Sequence, residues 1–260
     1  MVPLTKTVMK KSEKILLAVL ILLLCVLAAI KIYPRYMHEH LMSLSTEVYG
    51  GMTDELRDSE LYEDFQSGAS VCFIGDSITD GGVIYGIPWY QPLTSHIKGD
   101  IFTLARSGWT VADVINHAYA MPEADVYIIA IGVNDVMDWD GYDCADTAEE
   151  YTERIQKVYD IISEVSPGAK MYFIAPWVFF DYGDAAEVRG NEFREALRVW
   201  CEDNGCIYIN PVPSILSVIY TEGASVFMYN ELHPYAPEGV GLYSYAVLRE
   251  DHLRRVNSAS

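Results

Sequence analysis

Four short stretches of the chain carry residue types suited to nucleophilic chemistry. Gly75-Asp76-Ser77 follows the apolar run Val71 to Ile74, and a serine that starts a helix there has free backbone N–H groups beside its hydroxyl. A serine N-cap after a strand has the same appearance. It is not a G-x-S-x-G elbow, because position 79 is Thr. A second apolar run ends in Leu104-Ala105-Arg106-Ser107-Gly108-Trp109, where Gly108 offers a backbone N–H to a ligand or simply turns a loop. A third ends in Ile131-Gly132-Val133-Asn134-Asp135. Asn134 can aim its amide at a developing negative charge, or it can close an Asx turn. Near the end, Met228 to Tyr235 reads M-Y-N-E-L-H-P-Y, which puts His233 three residues after an amide, Asn230, where a base would want a carboxylate.

Taken in this order, G-D-S, the glycine after the second run, G-x-N-D and H-P resemble the SGNH (GDSL-type) hydrolase family. The resemblance covers about residues 70–250, including the tail H-P-Y-A-P-E-G-V-G-L-Y. It implies a flavodoxin-like three-layer α/β/α sandwich and cofactor-free acyl transfer. Ser77 would be the nucleophile and His233 the base, with the Ser77 N–H, the Gly108 N–H and the Asn134 side chain as the oxyanion hole. The family usually has Asp where this chain has Asn230. An Asn oxygen can accept the Nδ1–H of the histidine but cannot balance an imidazolium, and an N–H₂ turned inward would favour the wrong tautomer. In a serine-protease triad the Asp→Asn change loses about 10⁴ in kcat, roughly 5–6 kcal/mol. Some family members hold the histidine through a backbone carbonyl, and Glu231 is a further candidate acid.

These residues need elements to position them, and the hydrophobic pattern supplies a set. Val71–Gly75, Ile101–Ala105, Val126–Gly132, Met171–Ala175 and Cys206–Ile209 read as buried strands. Trp89–Lys98, Val111–Tyr119, Thr147–Val165, Ala185–Asp203 and Glu238–Leu253 read as helices. Alternation of this kind predicts a mainly parallel five-stranded sheet covered on both faces, with ligands outside the carboxyl ends of its strands.

Ahead of that domain, assigned to residues 69–260, residues 34–68 read as two short helices broken at Gly50-Gly51, a stalk or a lead-in that packs on the main domain. Residues 15–33 read as a transmembrane helix and residues 1–14 as a basic tail. The apolar run Ile15 to Ile30 spans roughly 24 Å at about 1.5 Å per residue, and Lys31 can snorkel so that Ile32 and Tyr33 extend it toward a core of ~30 Å. Four lysines precede the run, which favours a cytoplasmic N-terminus and an extracytoplasmic body. A cleavable signal peptide with Val26-Leu27-Ala28 at its cleavage site is the alternative.

Net charge is −19, and because the first 35 residues are basic, the body is more acidic still. Such a body repels phosphate backbones, so nucleic acid is excluded as a partner. Cys72, Cys144, Cys201 and Cys206 match no zinc template, and His38 with His40 is a lone H-x-H, so no metal site is read. Cys201 and Cys206 are a candidate disulfide. Aromatic residues follow the motifs closely: Trp89-Tyr90, Trp109, Trp139, Trp177, Phe179-Phe180 and Tyr182. Together with an external location they point to a small acyl ester or an acylated surface glycan as substrate, with simple packing as the other explanation. The expected function is therefore a serine esterase of short-chain acyl esters. An O-acyltransferase using the same site and a non-catalytic glycan-binding domain are the alternatives.

Overall fold

A computed structural model of the protein describes residues 10–177 and 183–258. The chain forms two compact units, Met1–His40 and Leu41–Ser260. The first is made of most of helix α1 (Lys11–Leu44), whose apolar side chains from Ile15 to Tyr33 stand exposed. From Lys14 to Leu44 it is long and apolar enough to cross a membrane. The helix continues through Pro34, where the sequence pattern had suggested a change from anchor to stalk.

In the second unit, α2 (Asp54–Arg57) and α3 (Glu60–Ser67) come first. They lie in the segment read as a lead-in packed on the main domain, and Leu56, Leu61 and Phe65 are wholly buried. The backbone N–H of Leu61 donates to the buried carboxylate of Asp251 at 2.7 Å. The compact unit starts at Leu41, and apolar residues spaced by threes and fours give each short helix a face to bury.

Five strands follow: β1 (Val71–Gly75), β2 (Ile101–Ala105), β3 (Val126–Ala130), β4 (Lys170–Ile174) and β5 (Ile207–Ile209). All pairings are parallel and the order is β2-β1-β3-β4-β5, that of the flavodoxin-like doubly wound sheet. The connecting helices are α4 (Ser77–Asp80), α5 (Val111–Asn116), α6 (Val133–Met137), α7 (Ala148–Val165), α8 (Asp184–Asn204), α9 (Val212–Glu222), α10 (Ala224–Phe227) and α11 (Glu238–Ser258). Side-chain alternation along the strands sorts the core into two layers. Phe73, Ile128 and Tyr172 face α9 and α11, where Ile215, Ile219, Leu242 and Ala246 meet them. Cys72, Tyr127, Ile129 and Phe173 face α7 and α8, where Tyr151, Ile155, Phe193 and Leu197 meet them. Burial on both faces explains why β1 and β3 read as unbroken apolar runs.

Helix α9 lies where the sequence pattern had passed straight from the fifth strand to the last helix. Expected helices at Trp89–Lys98 and Val111–Tyr119 are shorter, the first being a 3₁₀ segment over Gln91–His96. Cys201 and Cys206 are free thiols.

Candidate active site

Strand β1 stops at Gly75 because the chain must turn there into α4 at very close quarters. A Cβ on Gly75 would lie 2.2 Å from Oγ1 of Thr79 and 2.6 Å from the carbonyl oxygen of Ala130. Asp76 then caps α4, its Oδ1 accepting the N–H of Ile78 at 3.0 Å. The cap fixes Ser77 as the first helical residue, so its own N–H has no partner within the helix. Ser77 is buried, and its Oγ lies 2.7 Å from Nε2 of His233. The cap is thus Asp76, and Ser77 is left free to face the histidine.

His233 comes from a tight ribbon between α10 and α11. The strands of the ribbon are held by an antiparallel bridge between Met228 and Pro234. Two backbone bonds close it, from the Tyr229 N–H to the His233 carbonyl at 2.9 Å and from the Tyr235 N–H to the Phe227 carbonyl at 2.6 Å. Inside the turn, Oδ1 of Asn230 accepts the backbone N–H of Leu232 at 2.9 Å and that of His233 at 2.7 Å. Two N–H groups directed at one atom require that atom to be the oxygen, which settles which way the amide faces. The same oxygen lies 3.0 Å from Nδ1 of His233. An acceptor there places the ring proton on Nδ1 and leaves Nε2 with a lone pair toward the Ser77 hydroxyl. Partial burial lowers the His233 pKa below 6.5, which favours the neutral ring. Adjacent Glu231 is exposed.

The other expected site residues come from β2 and β3. The N–H of Trp109 donates to the Arg106 carbonyl at 3.1 Å, closing a four-residue turn with Gly108 (φ +85°) in its third place. That place needs positive φ, and its N–H is not used by the turn itself. After β3, Gly132 (φ +123°) lets α6 start against the buried ring of Tyr151, 2.6 Å from where a Cβ would sit. Asn134 is then in the first turn of α6, nearly inaccessible to solvent, with Nδ2 donating to the Trp109 carbonyl at 2.9 Å. Among the described residues, its second amide hydrogen has no acceptor. Ser77, Gly108 and Asn134 therefore come from the carboxyl ends of three adjacent strands, at the point where the strand order reverses. By contrast, a cavity of about 510 Å³ lined by Ser70, Asp125 and Ala169 lies at the opposite ends of the strands.

Three residues that the sequence reading left without a role hold this framework. Asp80, at the end of α4, accepts the hydroxyl of Ser107 at 2.9 Å and its N–H at 3.3 Å, tying the Gly108 turn to the helix that bears Ser77. Asp135 is buried and accepts the N–H groups of Val111 and Ala145, both at 3.1 Å. Arg189, from α8, donates to the carbonyls of Val136 at 3.0 Å and Ala145 at 2.6 Å. Asp135 was visible in G-x-N-D, but its partners lie in segments the motif does not contain. Burial pushes the carboxyls of both Asp76 and Asp135 up to about 7, and the charge of Asp135 adds to the rise at Asp76.

The aromatic residues divide sharply. Trp89, Tyr90, Trp109 and Trp177 are buried, and Trp89 packs edge-on against Phe73 and Trp177. These are core residues, while Trp139 is exposed. Phe179, Phe180 and Tyr182 lie outside the described residues. Exposed rings that the reading did not single out are Tyr142, against Gly108, and Tyr229 and Tyr235, on the His233 ribbon.

With this geometry in view, residues 73–236 match the GDSL-like Lipase/Acylhydrolase family. Among solved structures, a catalytic mutant of an acetylxylan esterase from Geobacillus stearothermophilus is similar at 18% identity and TM-score 0.59, covering 72% of this chain and 96% of that one. A member of the lipolytic protein G-D-S-L family from Veillonella parvula is similar at 16% identity and TM-score 0.56, covering 69% of this chain and 96% of that one. An α/β hydrolase from the metagenome of Lake Arreo has 19% identity and TM-score 0.57, covering 71% and 95% respectively. No curated protein matches the chain.

Proposed function

Since this chain belongs to the GDSL-like lipase/acylhydrolase family and is a serine hydrolase, we propose that it acts through an acyl-enzyme on Ser77, with His233 as general base and acid. The observation that carries this reading is the 2.7 Å approach of Ser77 Oγ to His233 Nε2. In the first half-reaction Oγ bonds to the ester carbonyl carbon while its proton passes to Nε2. The carbonyl electron pair moves onto oxygen, facing the N–H groups of Ser77 and Gly108 and the amide of Asn134. The C–O bond to the alcohol then breaks and Nε2 returns the proton to the leaving oxygen. Water repeats the sequence to release the acid and restore Ser77.

Asn230 fills the place of an acid in this scheme. It supplies orientation and tautomer through Oδ1 but no negative charge. The similar acetylxylan esterase is described through catalytic mutants at a serine, at an aspartate, and at a histidine three positions after that aspartate. That spacing supports matching Asn230 and His233 to the last two. The same likeness supports a short acyl group on a carbohydrate as substrate. The apolar helix from Lys14 to Leu44 supports a membrane-anchored enzyme with its catalytic unit outside the cytoplasm.

A fluorophosphonate probe tests the reading on the full-length protein in detergent. Labelling of Ser77 is expected, with loss of labelling in Ser77→Ala and a large reduction in His233→Ala. No labelling of Ser77 at any pH from 5 to 9 would refute it.

A further inference from the structure

His233 does more in this fold than reach Ser77, because the ribbon that carries it also carries two exposed aromatic rings. Tyr229 stands directly across from His233, joined to it by the N–H to carbonyl bond of 2.9 Å. Tyr235 follows His233 by two residues on the same arm, beyond the Met228–Pro234 bridge. In such a ribbon, residues directly opposite, and residues two apart on one strand, share a face. His233, Tyr229 and Tyr235 therefore present their side chains to one side. The rings of the two tyrosines lie nearly parallel to each other, 15° apart, with centroids separated by 6.4 Å. Both are solvent-accessible, Tyr229 at 56% and Tyr235 at 46%. Two large rings left in water on the element that carries the base call for an explanation, since in this chain most other aromatic residues near the site are packed away.

The reaction geometry says which part of an ester would meet them. The oxygen that leaves must come within hydrogen-bond reach of His233 Nε2, because that nitrogen returns the proton to it. The developing oxyanion points elsewhere, to the turn of Gly108 and to Asn134. The alcohol portion of the substrate therefore lies on the side of the His233 ribbon. We propose that Tyr229 and Tyr235 form the alcohol-side subsite of this enzyme, which takes the pyranose ring of an acylated carbohydrate.

A pyranose suits the platform better than an alkyl chain does. An open pair of rings covers one apolar C–H face and leaves the equatorial hydroxyls in water, whereas an alkyl chain needs an enclosed apolar channel to stay dry. Tyrosine, apolar across the ring and polar at its tip, is adapted to that division. The acidic body disfavours anionic alcohols such as phosphorylated sugars.

The subsite rests on the esterase reading, and the test separates the two. The full-length protein in detergent is assayed on methyl acetate, whose alcohol carries no ring, and on acetylated xylooligosaccharides. Tyr229→Ala and Tyr235→Ala are each expected to raise KM for the oligosaccharide about tenfold, the scale of one lost ring contact. Turnover of methyl acetate stays within twofold, and labelling of Ser77 by fluorophosphonate is unchanged. Tyr229→Phe and Tyr235→Phe retain wild-type KM, since the ring remains. As a check that does not depend on turnover, Ser77→Ala binds xylohexaose in calorimetry, and adding Tyr229→Ala weakens that binding by a similar factor. Equal losses on both esters, no loss on either, or no binding of xylohexaose would overturn the subsite. Failure of Ser77 to label in the wild type would instead overturn the esterase reading.

Discussion

Oδ1 of Asn230 lies 3.0 Å from Nδ1 of His233 while accepting two backbone N–H groups of its own turn. The amide is thus locked with its oxygen inward, and the wrong-tautomer arrangement that an Asn allows in principle is avoided. Orientation is preserved, but the charge that would stabilise an imidazolium is missing. Asn230→Asp keeps all three acceptor contacts and supplies that charge. It is expected to raise kcat by at least about tenfold, against an upper bound near 10⁴ set by the reverse change in a serine protease. Burial lowers the His233 pKa, so the acidic limb of wild-type kcat/KM lies at lower pH than an ordinary histidine would give. In Asn230→Asp the carboxylate favours the protonated ring, and the acidic limb moves to higher pH. A pH–rate profile on a small acetate ester reads both effects, and an unchanged profile would show that position 230 does not act on the imidazole.

Asn134 already spends one amide hydrogen on the Trp109 carbonyl at 2.9 Å, and the other is the one available to an oxyanion. Asn134→Ala removes both. A fall in kcat of about 10²–10³ is expected, with KM for a small ester nearly unchanged, because the oxyanion forms only after binding. Thermal denaturation of the same variant separates loss of the donor from loss of the fold.

The sheet was legible because both its faces are buried: β1 and β2 fall where the apolar runs put them, and β3 to β5 differ only at their ends. The motif residues Ser77, Gly108, Asn134 and His233 were legible because each sits just past a strand or before a helix. Asn230 was visible as a departure, but the direction of its amide depends on turn bonds that spacing does not encode. Asp80, Asp135 and Arg189 were not legible as supports, since each acts on backbone groups of a segment far along the chain. Nor did sequence separate Trp89 and Trp177, which are core, from Tyr229 and Tyr235, which are not. Aromatic type is the same in both cases and only packing tells them apart. Helices α2 and α3 are short, and their burial comes largely from contact with α11.

The carboxylate of Asp80 holds the Ser107 hydroxyl at 2.9 Å and thereby the turn that offers the Gly108 N–H. Asp80→Ala leaves Ser77, His233 and Asn134 in place but frees that turn. Because misplacement of a donor by about 1 Å is costly, kcat is expected to drop roughly ten- to a hundredfold. Ser107→Ala keeps the weaker backbone contact at 3.3 Å and should fall between Asp80→Ala and wild type. If Asp80→Ala lowers the melting temperature but not kcat, the contact supports the fold rather than the oxyanion donor.

Asp76 is wholly buried; Oδ1 accepts the Ile78 N–H, while Oδ2 has no hydrogen-bond partner among the described residues. Burial raises its pKa from 3.8 to about 7, with Asp135 adding to the shift. A raised carboxyl pKa means that the unfolded chain gives up its proton first. The associated stability is fully present below about pH 3.8 and lost by the time pH has risen through about 7. Asp76→Asn keeps the oxygen that caps α4 and is neutral at every pH. Relative to wild type, the variant should therefore gain stability steadily from pH 4 to pH 7 and hold that gain above it. Urea denaturation at pH 5, 6, 7 and 8 measures the difference. A gap that does not change with pH would mean that Asp76 is ionised in the folded protein throughout.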